Sequence, residues 1–109
     1  MKLVVIESPY AGDVKRNEIY ARRCILDCLK RDEAPYVSHL LYTQVLDDTK
    51  PDERKLGMKA GFKWAEAADT RVFYIDYGVS DGMEMGLYQA ISRHQTLEFR
   101  QIGKNTDEN

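Results

Sequence analysis

Lys2-Leu3-Val4-Val5-Ile6-Glu7-Ser8-Pro9-Tyr10-Ala11-Gly12 is a short β-branched apolar run closed by a turn-forming cluster that holds both a proline and a glycine. A run of that length bounded by those residues reads as a buried strand, residues 2–7, that ends in a tight loop. Over residues 13–31 the period changes. Ala21, Cys24, Ile25, Cys28 and Leu29 recur at the spacing of one helix face, and Lys15, Arg16, Arg22, Arg23 and Lys30 fill much of the remainder. Strand, turn and helix form the first half of a βαβ unit. Residues 35–40, Pro-Tyr-Val-Ser-His-Leu, are predicted to supply its second strand.

The rest of the chain repeats the alternation. Residues 41–50 lack a clean period and lead to Pro51, suited to the first position of a helix over 52–68, where Asp52 and Glu53 favour the first turn. Leu56, Ala60, Phe62, Trp64 and Ala67 are available there for burial, while Gly57 and Gly61 interrupt its regularity. Residues 71–76 read as a third strand and 77–82 as a loop. A third helix follows with Met83, Leu87, Ala90, Ile91 and His94 on one face, then an edge strand over 96–102 and a loose polar tail over 103–109. The expected fold is a single α/β domain over residues 1–109: a small Rossmann-like, flavodoxin-like, three-layer arrangement with a mainly parallel sheet of four to five strands.

Composition narrows the function. A chain of 109 residues with 43% hydrophobic content builds one core. Its 16 basic and 18 acidic residues are interspersed and sum to −2, so no basic face for a nucleic-acid polymer is expected. The first apolar run is too short for a signal peptide or membrane span, which points to a cytoplasmic protein without a membrane partner. Cys24 and Cys28 share one helix face and read as buried thiols; no histidine or second cysteine pair completes a zinc spacing, and neither metal nor cofactor is expected.

In parallel sheets ligands bind beyond the carboxyl ends of the strands, where three loops meet here. The first brings Ser8, Pro9, Tyr10 and Gly12, and the second brings His39, Asp47 and Arg54. The third brings Ser80, Asp81, Gly82, Met83 and Glu84. Glu84 lies at a helix start, where exposed N–H groups keep a carboxylate ionised; it is suited to attack on an electron-poor sugar carbon, or serves only to offset the helix dipole. Gly82 and Gly86 on either side allow a close backbone approach, and Ser80 with neighbouring amides suits a phosphate or ribose. Tyr10 is either a stacking or hydroxyl-donating group or a half-buried anchor. His39 is either an acid-base group or an orienting one. Arg54 binds a phosphate or pairs with an acid, and Asp47 and Asp48 belong to a loop long enough to reach the cleft or to a solvated charge cluster.

The order of Ser8-Pro9-Tyr10, Ala68-Asp69 and Gly82-Met83-Glu84-Met85-Gly86 followed by Ala90 resembles the nucleoside 2-deoxyribosyltransferase and nucleotide N-glycosidase superfamily over most of the chain. The middle segment, with His39-Leu40, Leu46-Asp47-Asp48, Pro51 and Arg54, is similar to small relatives common in phages and bacteria. The resemblance implies an enzyme that cleaves or transfers the N-glycosidic bond of a nucleoside, nucleotide or related ribosyl compound. By the same resemblance Glu84 is the nucleophile, Tyr10 assists, and the sites are completed across a homodimer or higher homo-oligomer. One departure stands out: those enzymes carry an acid three residues before a Trp or Leu in the helix preceding strand three, and this chain has Gly61 ahead of Trp64. A protein that sequesters a nucleotide without turnover is the alternative.

Overall fold

The computed structural model describes residues 1–104. Four strands, β1 (Lys2–Glu7), β2 (Glu33–Tyr36), β3 (Thr70–Tyr74) and β4 (Leu97–Arg100), form one sheet in the order β2-β1-β3-β4 with every pairing parallel. The helices are α1 (Val14–Lys30), α2 (Ser38–Leu41), α3 (Pro51–Ala65) and α4 (Asp81–Ser92), with a 3-10 turn at Tyr42–Gln44 after α2. The expected α/β class with a parallel sheet is what the chain adopts. No helix among the described residues is long and apolar enough to cross a membrane.

Alternation along the strands divides two faces. Val4, Ile6, Val72 and Tyr74 pack against Tyr20, Ala21, Cys24 and Cys28 of α1, and both thiols are free and buried. Arg71 points to the opposite face, where it meets Phe62 of α3 and Gln89 of α4. The chain leaves β1 toward β2 on one side and returns to β3 on the other. The carboxyl end of β1 is therefore the switch point at which α/β sheets bind ligands.

Several boundaries differ from the sequence expectation. The second strand occupies Glu33–Tyr36, and Ser38–Leu41 is a helical turn that carries His39. The inward edge of α3 is Gly61 and Ala65, while Leu56 and Trp64 are more than half exposed. Small residues take the inside because α3 packs closely on α2. Ile91 is exposed, and His94 sits beyond α4 at a positive φ of 53°, outside the helical face assigned to it. Gly103, expected to begin a loose tail, is anchored: its N–H donates to Asp76 at 2.6 Å and its carbonyl accepts from Arg23 at 2.9 Å. Residues 105–109 of that expected tail lie outside the described residues.

Two carboxylates tie the edges of the fold together. Arg100 of β4 grips Glu33 of β2 through two hydrogen bonds of 2.7 Å, which hold the Glu33 carboxyl below its ordinary 4.5 against the opposing effect of burial. Burial alone would push Asp76 up, yet hydrogen bonds from Tyr20 and from the N–H groups of Ile102 and Gly103 hold it below 3.8. A depressed folded-state value contributes stability that is fully present above the unfolded value and lost as pH falls through the folded one. The urea midpoint is therefore expected to hold between pH 7 and 5 and to fall steadily below pH 4. Glu33→Gln starts lower and declines less over that acid range.

Candidate functional site

The cleft is built outward from the end of β1. After Glu7 the chain turns through Ser8-Pro9-Tyr10, and the buried Asn17 side chain pins this loop by donating to the carbonyls of Tyr10 and Ala11 at 2.9 and 3.2 Å. Asp13 then caps α1 by accepting from the Arg16 N–H. The loop thus holds Ser8 and Tyr10 in place before any ligand arrives.

α2 supplies the second wall. His39 Nε2 lies 3.0 Å from Ser8 Oγ, and the Tyr10 ring meets the imidazole edge-on at a centroid distance of 5.7 Å. Burial pushes the His39 imidazole down to about 4, so it is neutral at physiological pH. The placement of α2 depends on Gly61. A Cβ at that position would lie 2.7 Å from both Cβ and Oγ of Ser38. There is thus no room at position 61 for the acid that the resemblance places there, and the glycine is what lets α2 sit against α3 and carry His39 to the cleft.

The third wall is the start of α4. Ser80 caps the helix by accepting from the Met83 N–H at 3.3 Å, which leaves the first-turn N–H groups of Asp81 and Gly82 without a partner among the described residues. Arg54 reaches across from α3: its Nη1 donates to Asp48 at 3.0 Å, and its Nη2 would lie 3.7 Å from a Cβ at Gly82. Together the three walls enclose a cleft of about 420 Å³, in the range of small-molecule sites.

The floor holds an ion pair. Glu7 Oε2 accepts from Arg71 Nη2 at 2.7 Å, with the Arg71 side chain 1% exposed and that of Glu7 15%. Arg71 Nη1 donates to Gln89 at 2.6 Å, and the Phe62 ring lies 5.4 Å from the guanidinium carbon. Burial pushes the Glu7 carboxyl up against the downward pull of Arg71. Gly86 of α4 makes the arrangement possible, because a Cβ there would lie 2.8 Å from the Glu7 carboxyl carbon and 3.1 Å from Arg71 Nη2.

Of the residues expected at the site, Ser8, Tyr10, Gly12, His39, Arg54, Ser80, Asp81, Gly82 and Met83 line this one cleft. Pro9 is buried and does not line the cleft. Asp47 lines an adjoining cavity of about 540 Å³ and holds its own turn, accepting from Thr49 Oγ1 at 2.6 Å. Glu84 is exposed and does not line the cleft, because α4 turns it outward while Met83 goes in.

A family model described as a domain of unknown function, DUF7768, matches residues 2–100. The chain belongs to this family. The match runs from the first residue of β1 to the last of β4, so the cleft of this DUF7768 domain falls wholly within it. No curated protein and no solved structure matches the chain.

Asp48, read as part of a loop able to reach the cleft, does line it, and Glu7, Met58 and Phe62 line it as well although sequence reasoning passed them over as site residues. Glu7 did carry a signal: an acid closes an otherwise apolar buried strand beside Ser8, at the edge where ligands bind. Its partner Arg71, a cation at the start of the third apolar run, carried the complementary one.

Proposed function

We propose that this domain binds a nucleoside, nucleotide or related ribosyl compound in the cleft and cleaves or transfers its N-glycosidic bond. The observation that carries this reading is the gathering of nine expected residues into one cavity at the switch point of a parallel sheet. Tyr10 offers a flat wall for a base, and the Ser8–His39 pair offers neutral hydrogen-bonding groups for sugar hydroxyls. Arg54 and the open N–H groups of α4 suit an anionic substituent. The reading includes a homodimer, for which exposed Leu56, Trp64, Met85 and Tyr88 of α3 and α4 provide apolar surface.

Chromatographic assay of free base after incubation with deoxynucleosides, ribonucleosides, their 5′-monophosphates and NAD-type dinucleotides tests the proposal. Base release from at least one of them is expected. No release from any member of the panel would sink it.

A second reading, sequestration without turnover, is favoured by the exposure of Glu84 and by the lack of space for an acid at position 61. An intact nucleotide recovered from the denatured protein, with no altered product, supports that reading over the first.

A further inference from the structure

We propose that Glu7, and not Glu84, is the nucleophile of the cleft. The inference rests on the N-glycoside reading and assigns its central residue anew.

Glu7 lines the cleft at the carboxyl end of β1, beside Ser8 and against Gly86 of α4, whereas Glu84 is exposed and does not line it. The carboxylate is divided in its duties. Oε2 is bound by Arg71, while Oε1 has no hydrogen-bond partner among the described residues. Arg71 is itself fixed from behind: Nη1 donates to Gln89 and lies 3.4 Å from Gln95 Oε1, and Gln95 in turn donates to the carbonyls of Ala65 and Ala68 at 2.7 and 3.2 Å. The guanidinium pulls against the effect of burial on the Glu7 carboxyl and, through its bond to Oε2, orients the free oxygen. The geometry of α4 points the same way. At Gly86 the helix gives up its side chain where the Glu7 carboxylate lies, so the acid on the floor of the cleft comes from β1 in place of α4.

The step balances without a cofactor. Glu7 Oε1 attacks C1′ of the sugar, and the C1′–N bond breaks with its electron pair passing to the base nitrogen, which takes a proton from water. The hydroxide left by that water then adds to C1′ and breaks the ester bond to Glu7, which restores the carboxylate and releases the sugar.

Trapping in the wild-type protein tests the assignment. A 2-fluoro substituent on the sugar slows both steps by destabilising the electron-poor transition state. Incubation with 2′-deoxy-2′-fluoroarabinosyl nucleosides should therefore add one fluorosugar mass, mapped by peptide mass spectrometry to Glu7. In parallel, Glu7→Gln should lose base release by about 10²-fold or more, and Glu84→Gln should retain the wild-type rate. Because Glu7→Gln weakens a buried ion pair, thermal melting accompanies the assay. Azide added to Glu7→Ala should restore base release and yield a glycosyl azide, a result that a structural role for Glu7 would not give. An adduct on any other residue, or base release by folded Glu7→Gln at the wild-type rate, overturns the assignment while the N-glycoside reading stands. No base release from the wild-type protein overturns both.

Discussion

Replacing Arg71 by methionine should lower the stability of the fold by about 3–5 kcal/mol, measured by urea denaturation at pH 7. The guanidinium is 1% exposed and is the ion-pair partner of Glu7, so its removal strands a carboxylate in a site where burial already pushes its pKa up. Gln89 and Gln95 lose a donor as well. A loss of this size is a large part of the ~5–15 kcal/mol that holds a domain of this size together, so the variant lies near the limit of folding. Without Arg71 only burial acts on Glu7, and its folded-state pKa rises further. A raised carboxyl is stabilising below its unfolded value and loses that contribution as pH rises through the folded one. The deficit of Arg71→Met should therefore be smallest in mild acid and grow toward neutrality. The double variant Glu7→Leu/Arg71→Met should recover most of the loss, because an apolar pair of similar volume needs no desolvation. A single-variant loss below about 1 kcal/mol would show that water solvates the pair.

The second large effect is expected at Gly86. In an open helix, Gly→Ala is favourable by about 1 kcal/mol. Here the added methyl falls on the Glu7 carboxylate and crowds Arg71 Nη2 at 3.1 Å. A free glutamate would swing aside, but Glu7 is clasped by a guanidinium that Gln89 and Gln95 hold in turn. Overpacking of this kind costs about 1–3 kcal/mol, and the rigid surroundings place it high in that range, for a net loss of about 2 kcal/mol. A double-mutant cycle provides the check: in a Glu7→Ser background the same Gly86→Ala change should be neutral or favourable. Equal losses in both backgrounds would place the clash elsewhere.

The alternation of apolar runs with a 3.6-residue period made the parallel sheet legible, because β1, α1 and β3 are each long or apolar enough to declare their type. The short elements were harder to read. Val37 is buried and continues the apolar run of β2, yet the backbone turns into α2 at Ser38, a turn made possible by a contact with Gly61 more than twenty residues away. No local pattern carries that information. The same holds for α3, where Leu56 and Trp64 face outward while Met58 and Phe62 turn to the cleft and Gly61 meets α2. The loops gathered at the cleft were legible since a parallel sheet forces them to one edge. The placement of Glu7 in the cleft and Glu84 outside it was not. It depends on the rotation of α4 about its axis, which a helix start signal leaves open, and on a long-range partner, Arg71, that pairs with an acid 64 residues earlier.

The space above Arg71 has one further consequence, for descent. It is filled by the Glu7 carboxylate, and a side chain at position 86 would enter the same space. Filling position 86 first crowds the pair, whereas emptying position 7 first leaves the arginine without a counter-ion. Neither single step is neutral, so the two positions are bound to drift together. Across the family, where the arginine of β3 is kept with an acid at 7, position 86 should stay glycine, and a larger residue at 86 should accompany a smaller one at 7, each recording in its own element a change made in the other.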